Sequence, residues 1–449
     1  MTLRPGTELV VPIVDLAVGG RGVARVDGFV LFVEGALQGE TARVRVDRVR
    51  RGFAEGTAVA ILQPSPERTV PPCEHYDACG GCDLQHLAAP AQAEAKRAQV
   101  ASLLKRIAGL KDVDVPPAVL SPEPFGYRFR MDFDWRPATR GPILGLHRRG
   151  RAASIVPIRR CLLTSDTVNE MLAWLTREAA SRRLSAFDPR RRRGLLRRAS
   201  FQEARGTGER LVTLETGRGE PGAMAQLAAA LTRRFPATVG VVRLEHGRAG
   251  VAGIASILAG RDFLYEDLEG DRFRIPAEAF FQPNPSGSLA VRRHAVEALG
   301  LSGRGSLLEL YCGVGFFTLA AARKASRIVA IESSAIACAA GRDNAARAGA
   351  AHCRFVTSDV ETALPGLLHE AWEAVLLDPP RVGLPRGVAE ALARDGPVRI
   401  VYVSCDPATL ARDLSILTGA GRYRVIRVTP YDLFPQTHHV ECVAEITSG

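Results

Sequence analysis

Val401-Tyr402-Val403-Ser404-Cys405-Asp406-Pro407 reads as a short apolar strand that delivers a cysteine to its end. His438-His439-Val440-Glu441 places a carboxylate at the end of a second strand-like run, Tyr431 to Ile446. A thiol and a carboxylate presented from neighbouring strand ends form a minimal kit for alkylating a pyrimidine ring. Carbon 5 of uracil is a poor nucleophile until a thiolate adds to carbon 6 and makes the ring an enolate. A base must then remove the proton left on carbon 5 so that the thiol can be expelled. Cys405 has the chemistry of the nucleophile and Glu441 that of the base. Taken alone, a cysteine after three apolar residues is ordinarily a buried, inert thiol. The residues around it change that reading.

An electrophile has to be held nearby. Ser306 to Leu310 reads as a strand, Gly313 and Gly315 follow in a tight turn, a helical run comes next, and a second strand, Arg327 to Ile331, closes on Glu332. Strand, glycine turn, helix, strand and acid form the dinucleotide-type fingerprint. The glycines let a ligand approach the backbone, and the acid can hold two ribose hydroxyls. The fingerprint by itself suits a nicotinamide cofactor as well as S-adenosylmethionine. The third glycine, which goes with a pyrophosphate at the helix N-terminus, is replaced by Thr318. S-adenosylmethionine has no phosphate, so the replacement favours it. Glu309, Glu332, Asp359 and Asp378 all close short apolar strands, which predicts four acids along one sheet edge, where open α/β folds bind ligands. Each acid singly would serve equally well as a helix N-cap.

Phe280-Phe281-Gln282-Pro283-Asn284, the Tyr311–Thr318 loop, Asp378-Pro379-Pro380-Arg381, Ser404-Cys405-Asp406-Pro407 and Phe434-Pro435-Gln436-Thr437-His438-His439-Val440-Glu441 occur in this order. The set resembles the RNA 5-methyluridine methyltransferase family over essentially the whole chain, and the last two motifs are specific to it. The resemblance implies that Gln282, Tyr311, Glu332, Asp359 and Asp378 contact S-adenosylmethionine, with Cys405 as nucleophile and Glu441 as base. Phe316 departs from the pattern, since many members carry a polar residue there; no ligand contact is carried over to it. Cys442 stands where Thr is common. The cytosine-5 methyltransferases that act on DNA carry their nucleophile in a Pro-Cys pair after the fourth strand, whereas that loop here reads Asp378-Pro379-Pro380. Uridine is therefore the expected base.

Cys73, Cys79 and Cys82 cluster in a Pro-rich loop, and Cys161 lies far downstream. Met1 to Glu8 has no apolar core and no run is long enough for a bilayer, so a reducing, cytoplasmic setting is expected. Clustered cysteines there bind metal more often than they pair. The spacing alone leaves zinc and an iron–sulfur cluster both open. The resemblance extends to the family's ribosomal-RNA branch, including the following Asp83-Leu84-Gln85-His86, and implies a [4Fe-4S] cluster on these four cysteines. His86 is read as packing or capping. Cys312, Cys338, Cys353 and Cys442 are read as plain buried thiols.

With 449 residues the chain suits two or three domains, and its net charge of +11 suits a polyanionic partner. Only four of the 59 basic residues are lysine, a bias that looks like genomic base composition. Distribution is better evidence. From Arg182 to Arg198 eight arginines meet one acid, Asp188, a run that is ordinarily a solvated face but would suit RNA phosphates. The reading is an α/β multidomain protein. Residues 1–62 form a five-stranded barrel of OB type that resembles a TRAM domain, with predicted strands Glu8–Leu16, Gly28–Val33 and Ala42–Val49. Residues 63–265 form a mixed region holding the cysteines and the arginine run. Residues 266–449 form a Rossmann-like class I methyltransferase. Residues 88–122 begin with a strongly helical stretch, Ala88 to Lys111, and the resemblance implies that they pack back onto the catalytic domain.

The expected function is methylation of carbon 5 of a uridine in RNA, in 23S ribosomal RNA ahead of the tRNA T-loop. The expected partner is RNA, with no membrane and no obligate protein partner, and a monomer. The ribosomal choice rests on the barrel and the cluster, which the family's bacterial tRNA enzymes generally lack. The competing readings are a non-catalytic, cluster-containing RNA-binding protein, against which Cys405 and Glu441 both stand, and a nicotinamide-dependent oxidoreductase, disfavoured by Thr318.

Overall fold

The computed structural model describes residues 3–139, 141–246 and 253–449. At the N-terminus lie β1 (Glu8–Pro12), β2 (Asp15–Leu16), β3 (Gly22–Val26), β4 (Phe29–Glu34), β5 (Thr41–Val49) and β6 (Phe53–Gln63). In β5 the buried Ala42, Val44 and Val46 alternate with exposed Arg43 and Arg45, so one face fills a small core and the other faces water. The strand order is β1-β5-β6-β4-β3-β2, and β1 also lies against β3, so the sheet curls round that core. Six strands are present where five were expected. The predicted strand Glu8–Leu16 divides because Ile13 leaves the β5 ladder and donates to the Glu40 carbonyl.

Helix α1 (Ala89–Leu103) continues through a π-turn, Leu104–Ala108, and is followed by the two-residue β7 (Val119–Leu120). A seven-stranded sheet comes next: β8 (Arg130–Ala138), β9 (Gly141–Arg148), β10 (Arg151–Pro157), β11 (Leu196–Glu203), β12 (Arg210–Thr216), β13 (Thr238–Glu245) and β14 (Ile254–Gly260). Met131, Phe133 and Trp135 alternate out of β8 into a core shared with helices α2 (Asp166–Ser181) and α3 (Pro221–Arg234). The hairpin β15 (Phe263–Leu268) and β16 (Asp271–Pro276) leads on to the last part of the chain and spans both sides of position 265.

From there the chain alternates helix and strand: α4 (Pro285–Ala298), β17 (Ser306–Leu310), α5 (Phe316–Ala321), β18 (Arg327–Glu332), α6 (Ala335–Arg347), β19 (Cys353–Thr357), α7 (Val360–Leu367), β20 (Ala374–Leu377), α8 (Arg386–Asp395), β21 (Arg399–Ser404), α9 (Pro407–Gly419), β22 (Tyr423–Asp432) and β23 (Glu441–Ser448). The sheet order is β19-β18-β17-β20-β21-β23-β22-β7, parallel from β19 to β21 and antiparallel at β23. The order reverses direction between β17 and β20, and the crevice above such a switch point is where doubly wound sheets bind ligands. The run Tyr431 to Ile446 is not one strand. It is the end of β22, a loop over 433–440, and the start of β23, so Glu441 opens a strand rather than closing one.

The segment holding α1 and β7 packs on this last sheet: β7 pairs with β22, and α1 lies against β22 and α9. Buried Lys96 of α1 forms an ion pair with buried Asp432. Removing one member would strand the other charge, at a cost of about 3–5 kcal/mol. Among the described residues no helix is long and apolar enough to cross a membrane.

Candidate active site

β21 ends at Ser404, whose partner in β23 is Cys442. Cys405 follows Ser404 and Glu441 precedes Cys442, so the two stand one residue beyond that pair. The turn after the thiol is fixed by Asp406, the N-cap of α9, whose Oδ1 accepts from Ala408 N (2.9 Å) and Thr409 N (3.0 Å). A cap of this kind is worth about 1 kcal/mol, so the cysteine sits on a rigid strand-to-helix corner. Burial pushes the Cys405 thiol up to about 12, and the Glu441 carboxylate adds to this while Arg381 opposes it. Burial likewise lifts the Glu441 carboxyl well above the usual carboxylate range, helped by Asp378 and again opposed by Arg381. Arg381 is thus the cation that favours the charged form of both groups. Its place in the sequence is marked by the Asp378-Pro379-Pro380-Arg381 turn, a motif that by itself assigns the arginine no role.

The remaining predicted ligand residues gather at the switch point. Glu332, at the end of β18, accepts at Oε2 from Gly313 N (3.0 Å) and at Oε1 from Ser334 N (2.7 Å) and Ser333 Oγ (3.5 Å), which leaves a lone pair on Oε2. Gly313 has φ +55°, and a Cβ there would meet nothing within 4 Å, so the loop keeps open space above its backbone. Gly315, at φ +88°, is also left-handed and packs near the Phe355 ring. Tyr311 shares this geometry with φ 67° despite having a side chain, and its hydroxyl is buried without a partner. Strain of this kind concentrates at ligand-binding turns. Gln282 Nε2 lies 3.5 Å from Asp378 Oδ2, and burial raises the Asp378 carboxyl to about 7. Asp359 stands at the N-cap position of α7 but makes no side-chain cap bond and is exposed. The capping alternative therefore does not account for Asp359.

Glu309 departs from the expected edge of four acids. It is buried, accepts from Thr318 Oγ1 (2.6 Å), and is raised to about 8 by burial. Glu309 is the penultimate residue of β17, and its side chain is tied to α5 rather than exposed along the edge. Thr318, standing for the missing glycine, anchors α5 to this acid. Phe316 is likewise structural: its ring packs against Phe281 (5.8 Å between centroids) and its carbonyl accepts from buried Arg292.

The four cysteines Cys73, Cys79, Cys82 and Cys161 line one cavity of about 240 Å³, together with His75, Arg128 and Arg130. Among the described residues, no three His, Cys, Asp or Glu side chains converge closely enough to hold one metal ion. Burial pushes Cys82 up to about 12 and Cys161 to about 11. His86 is buried, with its Nδ1 2.5 Å from the Tyr76 hydroxyl and its basicity lowered by burial to about 4. The other cysteines, Cys312, Cys338 and Cys442, are buried, and Cys353 is half-buried. In the arginine run, Arg182, Arg191 and Arg198 pair with Glu178, Asp188 and Asp134, and Arg197 lies over the Phe187 ring.

A largely parallel sheet with a glycine loop at its switch point, acids on its strand ends and Thr318 in place of the third glycine has the form of a class I S-adenosylmethionine-dependent methyltransferase, here carrying an N-terminal β-barrel. Residues 250–447 match the family model for tRNA (uracil-5-)-methyltransferase, and residues 3–59 match that of the TRAM domain. The chain is 37% identical over 449 residues to an uncharacterized RNA methyltransferase of Gloeobacter violaceus, covering 99% of this chain and 97% of that one. It is 31% identical over 434 residues to an RNA methyltransferase of Bacillus cereus, covering 96% and 94%. Its fold is similar to that of the Pyrococcus abyssi tRNA (uracil-54, C5)-methyltransferase in complex with S-adenosyl-L-homocysteine, with TM-score 0.77, 28% identity, and 98% and 99% of the two chains covered. The chain belongs to the S-adenosylmethionine-dependent RNA (uracil-5-)-methyltransferase family.

Proposed function

We propose that this enzyme methylates carbon 5 of a uridine in 23S ribosomal RNA through a covalent adduct on Cys405, acting in the cytoplasm. The observation that supports the mechanism is that Cys405 and Glu441 each stand one residue beyond the Ser404–Cys442 pair of β21 and β23, with the Glu441 carboxylate acting on the thiol. The Cys405 thiolate adds to carbon 6, and the electrons of the C5=C6 bond move onto the ring as an enolate. Carbon 5 then takes the methyl group from the sulfonium of S-adenosylmethionine, releasing S-adenosylhomocysteine. Glu441 removes the carbon 5 proton, the double bond re-forms, and the thiolate leaves. A carboxylate whose proton affinity is raised by burial is a stronger base than one in water, which suits this last step. Arg381 supports both charged forms. Gly313, Gly315, Tyr311, Glu332, Asp359, Asp378 and Gln282 would surround the methyl donor, with Glu332 free to accept ribose hydroxyls.

Cys73, Cys79, Cys82 and Cys161 would hold a [4Fe-4S] cluster. A single zinc at ~2.3 Å from each sulfur would draw the four sulfurs to about 3.8 Å of one another; four thiols round a cavity of about 240 Å³ fit a polynuclear group better. When bound, the cluster would tie the loop at 73–82 to residue 161; methyl transfer from a sulfonium to carbon consumes no electron.

A second reading is a tRNA T-loop uridine, favoured by the likeness to an enzyme named for uracil 54 of tRNA. The four-cysteine cavity beside a TRAM domain supports the ribosomal reading. Mass spectrometry of ribosomal and transfer RNA from cells with and without the protein separates them. Loss of 5-methyluridine from 23S RNA is expected; loss from tRNA alone refutes the ribosomal assignment. RNA carrying 5-fluorouridine at the mapped site should trap a denaturation-stable complex with the wild type and none with Cys405→Ala. A trapped complex in the alanine variant refutes the nucleophile.

A further inference from the structure

The loop over 433–440 carries the chain from β22 to Glu441, and most of what holds it lies outside the catalytic domain. The Gln436 carbonyl accepts from both Asp83 N (2.9 Å) and Leu84 N (2.9 Å). Gln436 N donates to Gln92 Oε1 (2.9 Å), and Gln92 Nε2 returns a bond to Gln436 Oε1 (3.1 Å). The Tyr127 hydroxyl donates to the Pro435 carbonyl (3.0 Å) and Lys96 Nζ to that of Phe434 (3.2 Å). Gln436 itself is left-handed, at φ 72°, a conformation that such surroundings must enforce.

Of the contacts made from outside the catalytic domain, the one nearest in sequence to Glu441 is made by Asp83, the residue after Cys82; inside that domain Arg381 Nη2 lies 3.4 Å from His439 Nε2. Its Oδ2 stands 2.6 Å from His438 Nδ1 and accepts from His438 N at 3.3 Å. An ionised carboxylate can only accept, so Nδ1 carries the proton and the ring orientation is fixed. Asp83 is itself held by Arg149, 3.7 Å away, which also reaches the Cys82 carbonyl. From His438 the chain runs through His439 and the buried Val440 directly into Glu441. The His438 ring lies 4.2 Å from that of His439. Cys405 is held by β21 and by the Asp406 cap, inside the catalytic domain. Glu441 of β23 is paired there too, opposite Tyr431 of β22, but the loop that leads into it takes the outside contacts above.

We infer that Asp83 is a positioning residue for Glu441, acting through its two bonds to His438, so that the cysteine-bearing segment sets the geometry of proton removal and leaves thiol addition untouched. The inference rests on the adduct mechanism proposed above. Its consequence is a split between two steps that a general loss of folding would lower together. A carboxylate displaced by an ångström from the carbon 5 proton loses up to about 100-fold in rate, while adduct formation keeps its own pace.

The experiment uses the full-length protein purified anaerobically. His438→Phe keeps a ring against His439 and the backbone donation to Asp83 but loses the 2.6 Å Nδ1 bond; His438→Asn presents an amide near the Nδ1 position. With 5-fluorouridine RNA, His438→Phe and Asp83→Ala should form the covalent complex within about threefold of the wild-type rate, well inside the loss set by misplacing the base. With uridine RNA the same variants should turn over ~10- to 100-fold more slowly and accumulate methylated covalent complex. His438→Asn should recover most of the loss, and the double variant Asp83→Ala/His438→Phe should be no slower than the worse single one. Adduct formation and turnover falling in equal measure, or turnover unchanged in His438→Phe, overturns the inference. If the wild type itself forms no complex with 5-fluorouridine RNA, the adduct mechanism fails instead, and the positioning role falls with it.

Discussion

Cys405 follows Ser404 at the end of β21, and Glu441 precedes Cys442 at the start of the antiparallel β23. The two stand one residue beyond the Ser404–Cys442 pair, near enough for the Glu441 carboxylate to raise the thiol. Such an arrangement delivers one group to a substrate from a strand end and the other from a strand beginning. Two acids so placed resist carrying charge together, which is why burial and mutual repulsion raise the thiol while Arg381 counters the effect.

Glu441 acts after methyl transfer, so Glu441→Gln should add the thiol, accept the methyl and stop there. Incubation with labelled S-adenosylmethionine and unmodified RNA should leave a methylated covalent complex that persists on a denaturing gel, with turnover below detection. A variant that forms no complex at all places Glu441 before the addition step.

The free protein should hold Cys405 as a thiol at neutral pH. Its raised proton affinity, about 12 against an ordinary 9.0, means the reactive thiolate is lost as pH falls and gained as pH rises. At pH 8 the thiolate fraction should be roughly a thousandfold below that of an unperturbed cysteine. Iodoacetamide labelling of Cys405, followed by peptide mapping, should rise about tenfold per pH unit from 8 to 10 without a plateau. Arg381→Gln should slow it further. A plateau near pH 8 contradicts the burial argument.

Anaerobically prepared protein should be brown, with about four irons and four sulfides per chain. Cys161→Ala should lower thermal stability and RNA affinity while S-adenosylmethionine binding survives, because the residues proposed for that ligand all lie in the C-terminal domain. The local loop should persist, since Asn169 Oδ1 accepts from Cys161 N (2.7 Å) and Asn169 Nδ2 donates to Cys161 O (3.0 Å). Colourless, fully active protein with one zinc refutes the iron assignment.

Arg190, Arg191, Arg192 and Arg193 form an exposed turn held by backbone donation to Asp188 Oδ1, 2.8 Å from Arg190 N and 3.3 Å from Arg191 N. Serine at all four positions should leave that turn intact. RNA affinity should fall, and its salt dependence should flatten by about 0.7–0.9 log units per lost phosphate contact. The methylated position should stay the same, since phosphate contacts position RNA while the pocket reads the base. Unchanged affinity and slope would return the run to a solvated face.

The sequence by itself determined the parallel strands, the glycine turn and the ends on which Cys405, Glu332 and Asp378 ride. Those features are local: apolar runs of strand length, glycines at left-handed positions and caps at helix starts act over a few residues. It determined poorly where a side chain at a strand end points. Glu309 looked like one more edge acid, yet the Thr318 hydroxyl ties it to α5. The run from Tyr431 to Ile446 looked continuous because its apolar residues do not stop, and only pairing of β22 with β23 shows the break. Lys96 with Asp432, and Asp83 with His438, were decided by tertiary structure alone. Their partners lie more than 300 residues apart in the chain. Periodicity fixes which face of an element is buried, but which distant segment meets that face is settled by the packing of whole domains, and here that packing places the cysteine-bearing loop beside the one that carries Glu441.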